Sequence, residues 1–162
     1  MDAWSALGLS EYGDVWGRFE RAFDFRPGVR PSDFPGIDEP SPSVTFALPH
    51  VGLQKRMPTD TDITDLASAM LAAFQACTPP QERIYALDWQ HESFWLQPHI
   101  IFGSWRVPVL PDGDYSIFLA PDFSWGLFGH PWEWTMCAFG APLLSALERR
   151  SPRLFSVPIR RH

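Results

Sequence analysis

The segment WGLFGHPWEW at residues 125–134 has the residue types best suited to proton-transfer chemistry. A histidine and an acid, His130 and Glu133, stand there among glycines, a proline and aromatic residues. Burial beside aromatic rings lowers the pKa of an imidazole and raises that of a carboxyl, so a neutral base and a protonated acid can coexist near pH 7. This pattern predicts His130 as a catalytic base and Glu133 as a catalytic acid. The structural alternative is a buried network in which His130 bonds a backbone carbonyl and Glu133 pairs with an arginine such as Arg106.

Two predicted turns, QHES and PDGD, carry further acids and a histidine. Their ionisable side chains are His91, Glu92, Asp112 and Asp114. Two acids in one turn can hold a cation or act as acid and base, so Asp114 is an alternative to Glu133 as the catalytic acid, and His91 is a further catalytic candidate. The opposing interpretation is a plain structural turn, because a hairpin tip is exposed and shifts a pKa little.

A hairpin between residues 83 and 101 would gather side chains for substrate binding. With a turn at residues 90–93, one face of the hairpin is an apolar core made of Tyr85, Leu87, Trp89, Phe94, Leu96 and Pro98. The opposite face then presents four predicted substrate-binding residues, Asp88, Trp95, Gln97 and His99. Trp105 and Trp132 are further predicted substrate-binding residues, and Trp95 or Trp132 is the predicted stacking surface. The alternative is the half-solvated face of an ordinary antiparallel sheet, with Asp88 and His99 in cross-strand hydrogen bonds.

The sequence lacks the motifs of the common metal, nucleotide and hydrolase sites. Its five histidines never occur with H-x-x-x-H spacing, and Cys77 and Cys137 form no C-x-x-C pair. The patterns G-x-S-x-G, G-x-x-x-x-G-K-[ST] and G-x-G-x-x-G are absent. We therefore predict no metal and no cofactor, although histidines and acids distant in sequence can still meet in space. The two cysteines are expected to be reduced and buried.

Hydrophobic periodicity predicts two long helices, one at residues 10–25 and one from a cap at Asp60 or Thr61 to Cys77. Five prolines between residues 26 and 42 predict an extended connection laid over the surface. Short β-branched or aromatic runs predict strands at residues 43–48, 83–89, 94–101, 105–110, 115–120 and 132–139. A short helix from Pro142 to Arg150 follows. This order predicts an α+β fold in which an antiparallel meander sheet of about five to six strands is packed by two to three helices.

Length and composition indicate one folded domain. The 162 residues are 45% hydrophobic and 20% charged, which is typical of a chain that buries a core without disulfides or metal. We divide it into a helix with a proline-rich connection (1–42), an α+β core (43–150) and a basic tail (151–162). No apolar run approaches the ~20 residues of a membrane span, and the first residues do not resemble a signal peptide, so we expect a cytoplasmic protein.

The net charge of −6 is unevenly distributed. Residues 149–162 contain five arginines and no acid, so the first 148 residues carry a net charge of −11. An acidic body argues against nucleic acid as a partner. The tail also contains the apolar residues Leu154, Phe155, Val157 and Ile159, so we expect it to pack on the acidic body. Binding of RNA or an anionic ligand by the tail is the alternative.

The strings YALDWQH (85–91), PDGDY (111–115) and GHPWE (129–133) occur together with Pro98, His99, Trp105, Phe139 and Gly140. In this combination the chain resembles the bacterial domain of unknown function 2716 family, over roughly residues 82–147 and more weakly in the first helix. The family is uncharacterised, so the resemblance implies no reaction, cofactor or partner. It marks the positions His91, Asp112, Asp114, His130 and Glu133.

Two functions from different classes follow from these features. The first is a small cofactor-independent enzyme of bacterial specialised metabolism, which binds a low-molecular-weight substrate in an aromatic-walled cleft and transfers protons in hydrolysis, dehydration, cyclisation or isomerisation. The second is an acidic interaction module, such as an immunity or antitoxin-like protein, which binds a basic protein partner through exposed tryptophans. A closed pocket shared by His130, Glu133 and His99 favours the enzyme, whereas a flat acidic face favours the interaction module. We favour the enzyme because the acids and histidines cluster in the predicted meander.

Overall fold

A computed structural model describes residues 2–50 and 56–162 of the chain. Its helices are α1 (Leu9–Phe23), α2 (Asp60–Cys77) and α3 (Ala141–Arg149). Its strands are β1 (Trp4–Ala6), β2 (Ser43–Ala47), β3 (Ile84–Asp88), β4 (Phe94–Leu96), β5 (Ser116–Leu119), β6 (Gly126–His130), β7 (Thr135–Phe139) and β8 (Pro158–Arg161). Short 3₁₀ turns lie at Pro31–Asp33 and Pro98–Ile100. No helix within these described ranges is long and apolar enough to cross a membrane.

The eight strands form one antiparallel sheet in the order β1-β4-β3-β5-β6-β7-β2-β8. The predicted α+β class is confirmed, but the sheet has more strands than the predicted five to six. Strand β1 has three residues and β6 contains two glycines, so neither has a strong local strand pattern. Residues 105–110 form no strand, because Pro108 interrupts the run and cannot donate to a ladder. Strand β8 lies in the predicted tail and pairs with β2.

Apolar layers cover both faces of the sheet. Helices α2 and α3 pack on one face, in a core that includes Phe74 and Phe118. Helix α1 and the proline-rich connection (residues 26–42) pack on the other face, in a core that includes Phe19, Ile37 and Phe128. Since neighbouring residues of a strand point to opposite faces, β5, β6 and β7 are buried along their whole length. The sheet is therefore the middle layer of three.

The β3–β4 hairpin has a different register from the predicted one. Tyr85 lies opposite Trp95, and their rings stack with centroids 4.0 Å apart. Ser93 Oγ accepts a hydrogen bond from the Asp88 N–H, which replaces a strand-to-strand bond and ends the ladder early. Because side chains alternate between faces, this change in register reverses the face that β4 shares with β3. The predicted core face of the hairpin is therefore wrong. Phe94 and Leu96 lie on the side of the sheet covered by α2. The side covered by α1 contains Tyr85, Leu87 and Trp89.

The N-terminus of α2 is capped by Thr59, one residue before the predicted caps. Thr59 Oγ1 accepts a hydrogen bond of 3.1 Å from the Asp62 N–H, and the Asp62 carboxylate accepts one of 3.0 Å from the Thr59 N–H. The bond from the Thr59 N–H to the carboxylate, with a further bond from Arg56, lowers the pKa of Asp62 to about 2. We expect Thr59→Ala to lower the free energy of unfolding by about 1 kcal/mol in urea denaturation, whereas Thr61→Ala has little effect. Equal losses in the two variants would contradict this cap.

Candidate functional site

Side chains from the two predicted turns meet in an open cleft at one end of the sheet. Asp88 ends β3, His91 lies in the β3–β4 connection, and Asp114 lies two residues before β5. One carboxylate or imidazole atom from each residue lies within 4.8 Å of the other two. The cleft has a volume of about 490 Å³, and its wall is completed by Glu92, Phe94, Arg106, Pro108 and Asp112. Three titratable side chains therefore line one solvent-accessible cleft.

Strand pairing and two tight turns produce this convergence. Asp88 is paired with Ser116, so the end of β3 lies beside the start of β5 and the two connections leave the sheet together. Gln90 and Gly113 have φ values of 63° and 86°, in the left-handed region that tightens a turn. A glycine adopts this conformation without strain, which explains the PDGD sequence. His91 and Asp114 are thereby directed toward each other.

Hydrogen bonding and burial set the proton affinities in the cleft. The His91 imidazole donates through Nε2 to Asp114 Oδ2 at 2.7 Å. This bond, with the nearby charge of Asp88, raises the pKa of His91. Burial raises the pKa of the Asp88 carboxyl, although the charge of His91 acts against this effect. Within the described part of the chain, these three residues are also the one group with a spacing that suits a metal ion.

The other predicted substrate-binding residues are dispersed over the molecule. Trp95 Nε1 donates to Glu11, Gln97 donates to the Pro80 carbonyl, and a His99 ring nitrogen lies 2.6 Å from the Thr78 carbonyl oxygen. Trp105 packs in the α2-side core, and Trp132 is 47% exposed in the β6–β7 turn. The structure therefore does not bring Asp88, Trp95, Gln97 and His99 together on one face. It places Asp88 with His91 and Asp114 instead.

His130 and Glu133 lie at the same turn, but no hydrogen bond joins the imidazole to the Glu133 carboxylate. His130 is completely buried, and its Nδ1 accepts hydrogen bonds from the Trp132 and Glu133 N–H groups at 3.2 and 3.0 Å. The Glu133 carboxylate accepts two hydrogen bonds from Arg160 at 2.7 and 2.9 Å. This arrangement differs from the structural alternative of the sequence analysis in both partners, because His130 binds backbone N–H groups instead of a carbonyl, and Glu133 pairs with Arg160 and not with Arg106. Arg106 pairs with Asp2 at 3.0 Å.

A buried acid of the proline-rich connection, Glu39, completes this network. Its side chain is 3% exposed, and its carboxylate accepts hydrogen bonds from Arg160 at 2.8 and 3.1 Å. Burial by itself would raise the pKa of Glu39, but the bonds from Arg160 and Thr45 outweigh it and lower the pKa. Arg160 lies in β8 and therefore joins the tail to the connection and to the β6–β7 turn. The tail packs on the body through these bonds and through the buried Leu154 and Phe155. Val157 and Ile159 are exposed and do not take part as expected. The sequence contains one signal for Arg160. It lies in a run in which apolar and other residues alternate (157–160), as in a strand, and the tail contains no acid with which it could pair.

The buried imidazole of His130 predicts a loss of stability in acid. Burial, to which the packed Tyr115 ring contributes, lowers the pKa of His130 from 6.5 to about 4. The negative charge of Glu133 acts against this shift, and the positive charge of Arg160 adds to it. The unfolded chain takes up a proton near pH 6.5 and the folded chain only near pH 4, so stability falls as the pH decreases between these values. The full loss is about 3 kcal/mol.

Urea denaturation at several pH values measures this loss. Because the lowered pKa of Glu39 also makes the protein less stable in acid, His130→Phe is the comparison that isolates the imidazole. We expect a smaller dependence of unfolding free energy on pH in that variant. The same dependence in both proteins would show that His130 does not control it.

The geometry defines an α+β protein with an antiparallel sheet between two helical layers and an acid–histidine cleft at one sheet end. A family model described as "Protein of unknown function (DUF2716)" matches residues 6–144, so the chain belongs to this family. It is 36% identical over 162 residues to "Uncharacterized protein YxiI" of Bacillus subtilis (strain 168), covering 96% of this chain and 98% of that protein. No solved structure matches the chain significantly. The resemblance noted from the motifs is confirmed and extends further toward the N-terminus.

Proposed function

We propose that this protein is a small enzyme that transfers protons on a low-molecular-weight substrate in the cleft of Asp88, His91 and Asp114. The observation that carries the proposal is the approach of these three side chains, from two separate segments, to within 4.8 Å in an open cleft. A positioned imidazole with a carboxylate partner is the commonest arrangement for general acid–base catalysis. The proposal moves the catalytic centre away from His130 and Glu133, because His130 is completely buried with its Nδ1 bound by backbone, and the Glu133 carboxylate is bound by Arg160.

Each of the three groups has a distinct task in this proposal. His91 takes a proton from the substrate or returns one, and Asp114 orients its ring and stabilises the imidazolium. Asp88, whose pKa is raised by burial, is the second proton carrier beside it. Removal of a proton at one atom and delivery at another serve hydrolysis, dehydration, cyclisation and isomerisation alike. None of these steps requires a cofactor.

The charge of the cleft favours a cationic substrate. Its wall contains the four acids Asp88, Glu92, Asp112 and Asp114. Its one arginine, Arg106, is ion-paired with Asp2 and so contributes less free positive charge. Small molecules with an amine or guanidinium group are therefore the substrate class that we propose. We also propose a role in bacterial specialised metabolism and a cytoplasmic location, which the unpaired Cys77 and Cys137 support.

An acidic interaction module is the second candidate function. It is supported by the net charge of −11 on residues 1–148 and by the exposed Trp132 in the β6–β7 turn. A tryptophan in an interface is a frequent energetic anchor. The other seven tryptophans are buried or partly buried, so the surface offers one anchor of this kind. Under the enzyme proposal, Trp132→Ala leaves turnover unchanged.

Substrate profiling with matched variants tests the enzyme proposal. The full chain, His91→Gln and the control His162→Gln are incubated with a panel of amine-bearing esters, lactones and amides and with a bacterial metabolite extract, and conversion is followed by mass spectrometry. We expect the same product from the full chain and the control, and almost none from His91→Gln. Equal conversion by His91→Gln, or conversion by none of the three proteins, would contradict the proposal.

A further inference from the structure

The buried imidazole of His130 has one nitrogen whose hydrogen-bonding capacity is unused. Its Nδ1 accepts two backbone N–H bonds, so in the neutral ring the proton is on Nε2. Nε2 is buried and has no hydrogen-bond partner among the described residues. Most buried polar groups are paired, and an unpaired one costs about 1–3 kcal/mol, so such a group indicates a function. His130 is a fixed, neutral donor without an acceptor.

The proline-rich connection lies directly over this donor. Gly36 has a φ of 85°, and a Cβ built on it would lie 3.2 Å from His130 Nε2. The ring of Phe34 meets the imidazole edge-on at a centroid distance of 4.7 Å. The glycine permits this close approach because it has no side chain. The connection thus covers His130 Nε2.

Beside His130, the hydroxyl of Tyr115 is bound by the backbone of the same connection. The Tyr115 and His130 rings lie 4.8 Å apart. Tyr115 Oη accepts a hydrogen bond from the Gly28 N–H at 2.9 Å and donates one to the Gly28 carbonyl at 3.1 Å. Gly28 therefore offers Tyr115 both a donor and an acceptor, as an amide ligand would.

Few bonds hold the middle of the connection in place. Among the described residues, the two bonds to Tyr115 are the only hydrogen bonds between residues 27–35 and the rest of the chain. Two backbone hydrogen bonds fix the ends of this segment. The Arg26 N–H donates to the Gly36 carbonyl, and the Asp38 N–H donates to the Phe23 carbonyl. A segment fixed at its ends and weakly bonded in the middle can open locally at small cost.

We propose that His130 Nε2–H and the Tyr115 hydroxyl form a second binding site, for a neutral aromatic carbonyl compound, which the connection covers when no ligand is bound. The two groups supply donors for a carbonyl oxygen. The rings of Phe25 and Phe128 supply the aromatic wall. A carboxylate ligand is disfavoured because both donors are neutral and its charge would be buried without a free cation, since the nearby Arg160 is already paired with Glu133. This site lies on the α1 side of the sheet and does not use the Asp88–His91–Asp114 cleft.

Three simple aromatic probes test the site in the full chain. Benzamide carries a neutral carbonyl, benzoate a carboxylate, and toluene no acceptor. With ¹⁵N-labelled histidine, we expect millimolar benzamide to move the Nε2–H resonance of His130 downfield and to speed hydrogen exchange at the Gly28 amide. Benzoate should bind at least about tenfold more weakly, since its charge would be buried without a free cation. Toluene should leave the resonance unchanged.

Variants separate this site from the cleft. His130→Phe keeps an aromatic ring without the donor and should weaken benzamide binding about tenfold, the value of one hydrogen bond. His91→Gln should bind benzamide as the full chain does, so failure of the two proposals can be told apart. Equal binding of benzamide and toluene, or no change at His130 with any probe, would overturn the inference. These probe comparisons need no variant, so they hold even if His130→Phe does not fold.

Discussion

The variant His91→Gln is expected to lower kcat/KM by a factor on the order of 10² to 10⁴, the usual contribution of a positioned proton-transfer group. Glutamine can still donate a hydrogen bond to Asp114, but it cannot accept or release a proton at neutral pH. The side chain of His91 is 57% exposed, so solvent screens its ion pair with Asp114 and the pair contributes little to folding. We therefore expect a nearly unchanged melting temperature. Kinetics and thermal denaturation of the same preparation measure the two effects.

Asp114→Asn tests how the carboxylate acts on His91. The hydrogen bond to Asp114 is the main reason that the pKa of His91 is raised. If His91 acts as the base, kcat/KM rises with pH as the imidazole loses its proton. Loss of the carboxylate lowers this pKa, so the rising limb of the profile should move to lower pH while its plateau falls. An unmoved limb would show that His91 is not the group that titrates.

Asp122→Asn is the matched control for these cleft variants. Asp122 binds Ser124 in the β5–β6 turn, away from the residues that line the cleft. Its replacement should leave both kcat/KM and the pH profile unchanged. Comparable losses of activity in this control and in His91→Gln would argue against a specific role of the cleft.

The variant Arg160→Met is expected to lower the free energy of unfolding by about 3–5 kcal/mol, because it removes the arginine from two buried carboxylates and leaves only the His162 imidazole beside Glu39. The side chains of Glu39 and Glu133 are 3% and 12% exposed, and both bind the Arg160 guanidinium. Their bonds raise the pKa of Arg160 despite its burial, so the arginine stays charged. Methionine keeps much of the apolar stem and removes the charge. Urea denaturation at pH 7 measures the loss.

Arg161→Met is the control, since Arg161 is the next residue of β8, is exposed and has no ion pair among the described residues. Its replacement should change stability by no more than about 0.5 kcal/mol. Adding Glu133→Gln to Arg160→Met should recover part of the loss, because one unpaired buried charge is then removed. Similar losses in the Arg160 and Arg161 variants would mean that β8 contributes through strand pairing alone.

The sequence by itself determined those features that depend on local periodicity. The apolar spacing of Val15, Trp16, Phe19 and Phe23 defines the buried stripe of α1, and the corresponding stripe defines α2. The aromatic surroundings of His130 correctly predicted a buried imidazole with a lowered pKa. Strand-forming runs between helices were sufficient for the α+β class. Each of these inferences uses neighbours within a few residues along the chain.

Tertiary structure alone decided which distant groups meet. Glu133 pairs with Arg160, 27 residues away, and not with the Arg106 suggested by the sequence, because β8 returns to lie beside β2. Asp88 meets His91 and Asp114 because the ladder of β3 with β4 ends early and β3 pairs onward with β5. Strand register and edge pairing arise from the packing of two apolar faces on one sheet. Local residue preferences carry little information about them, since a shift of one residue reverses every side chain.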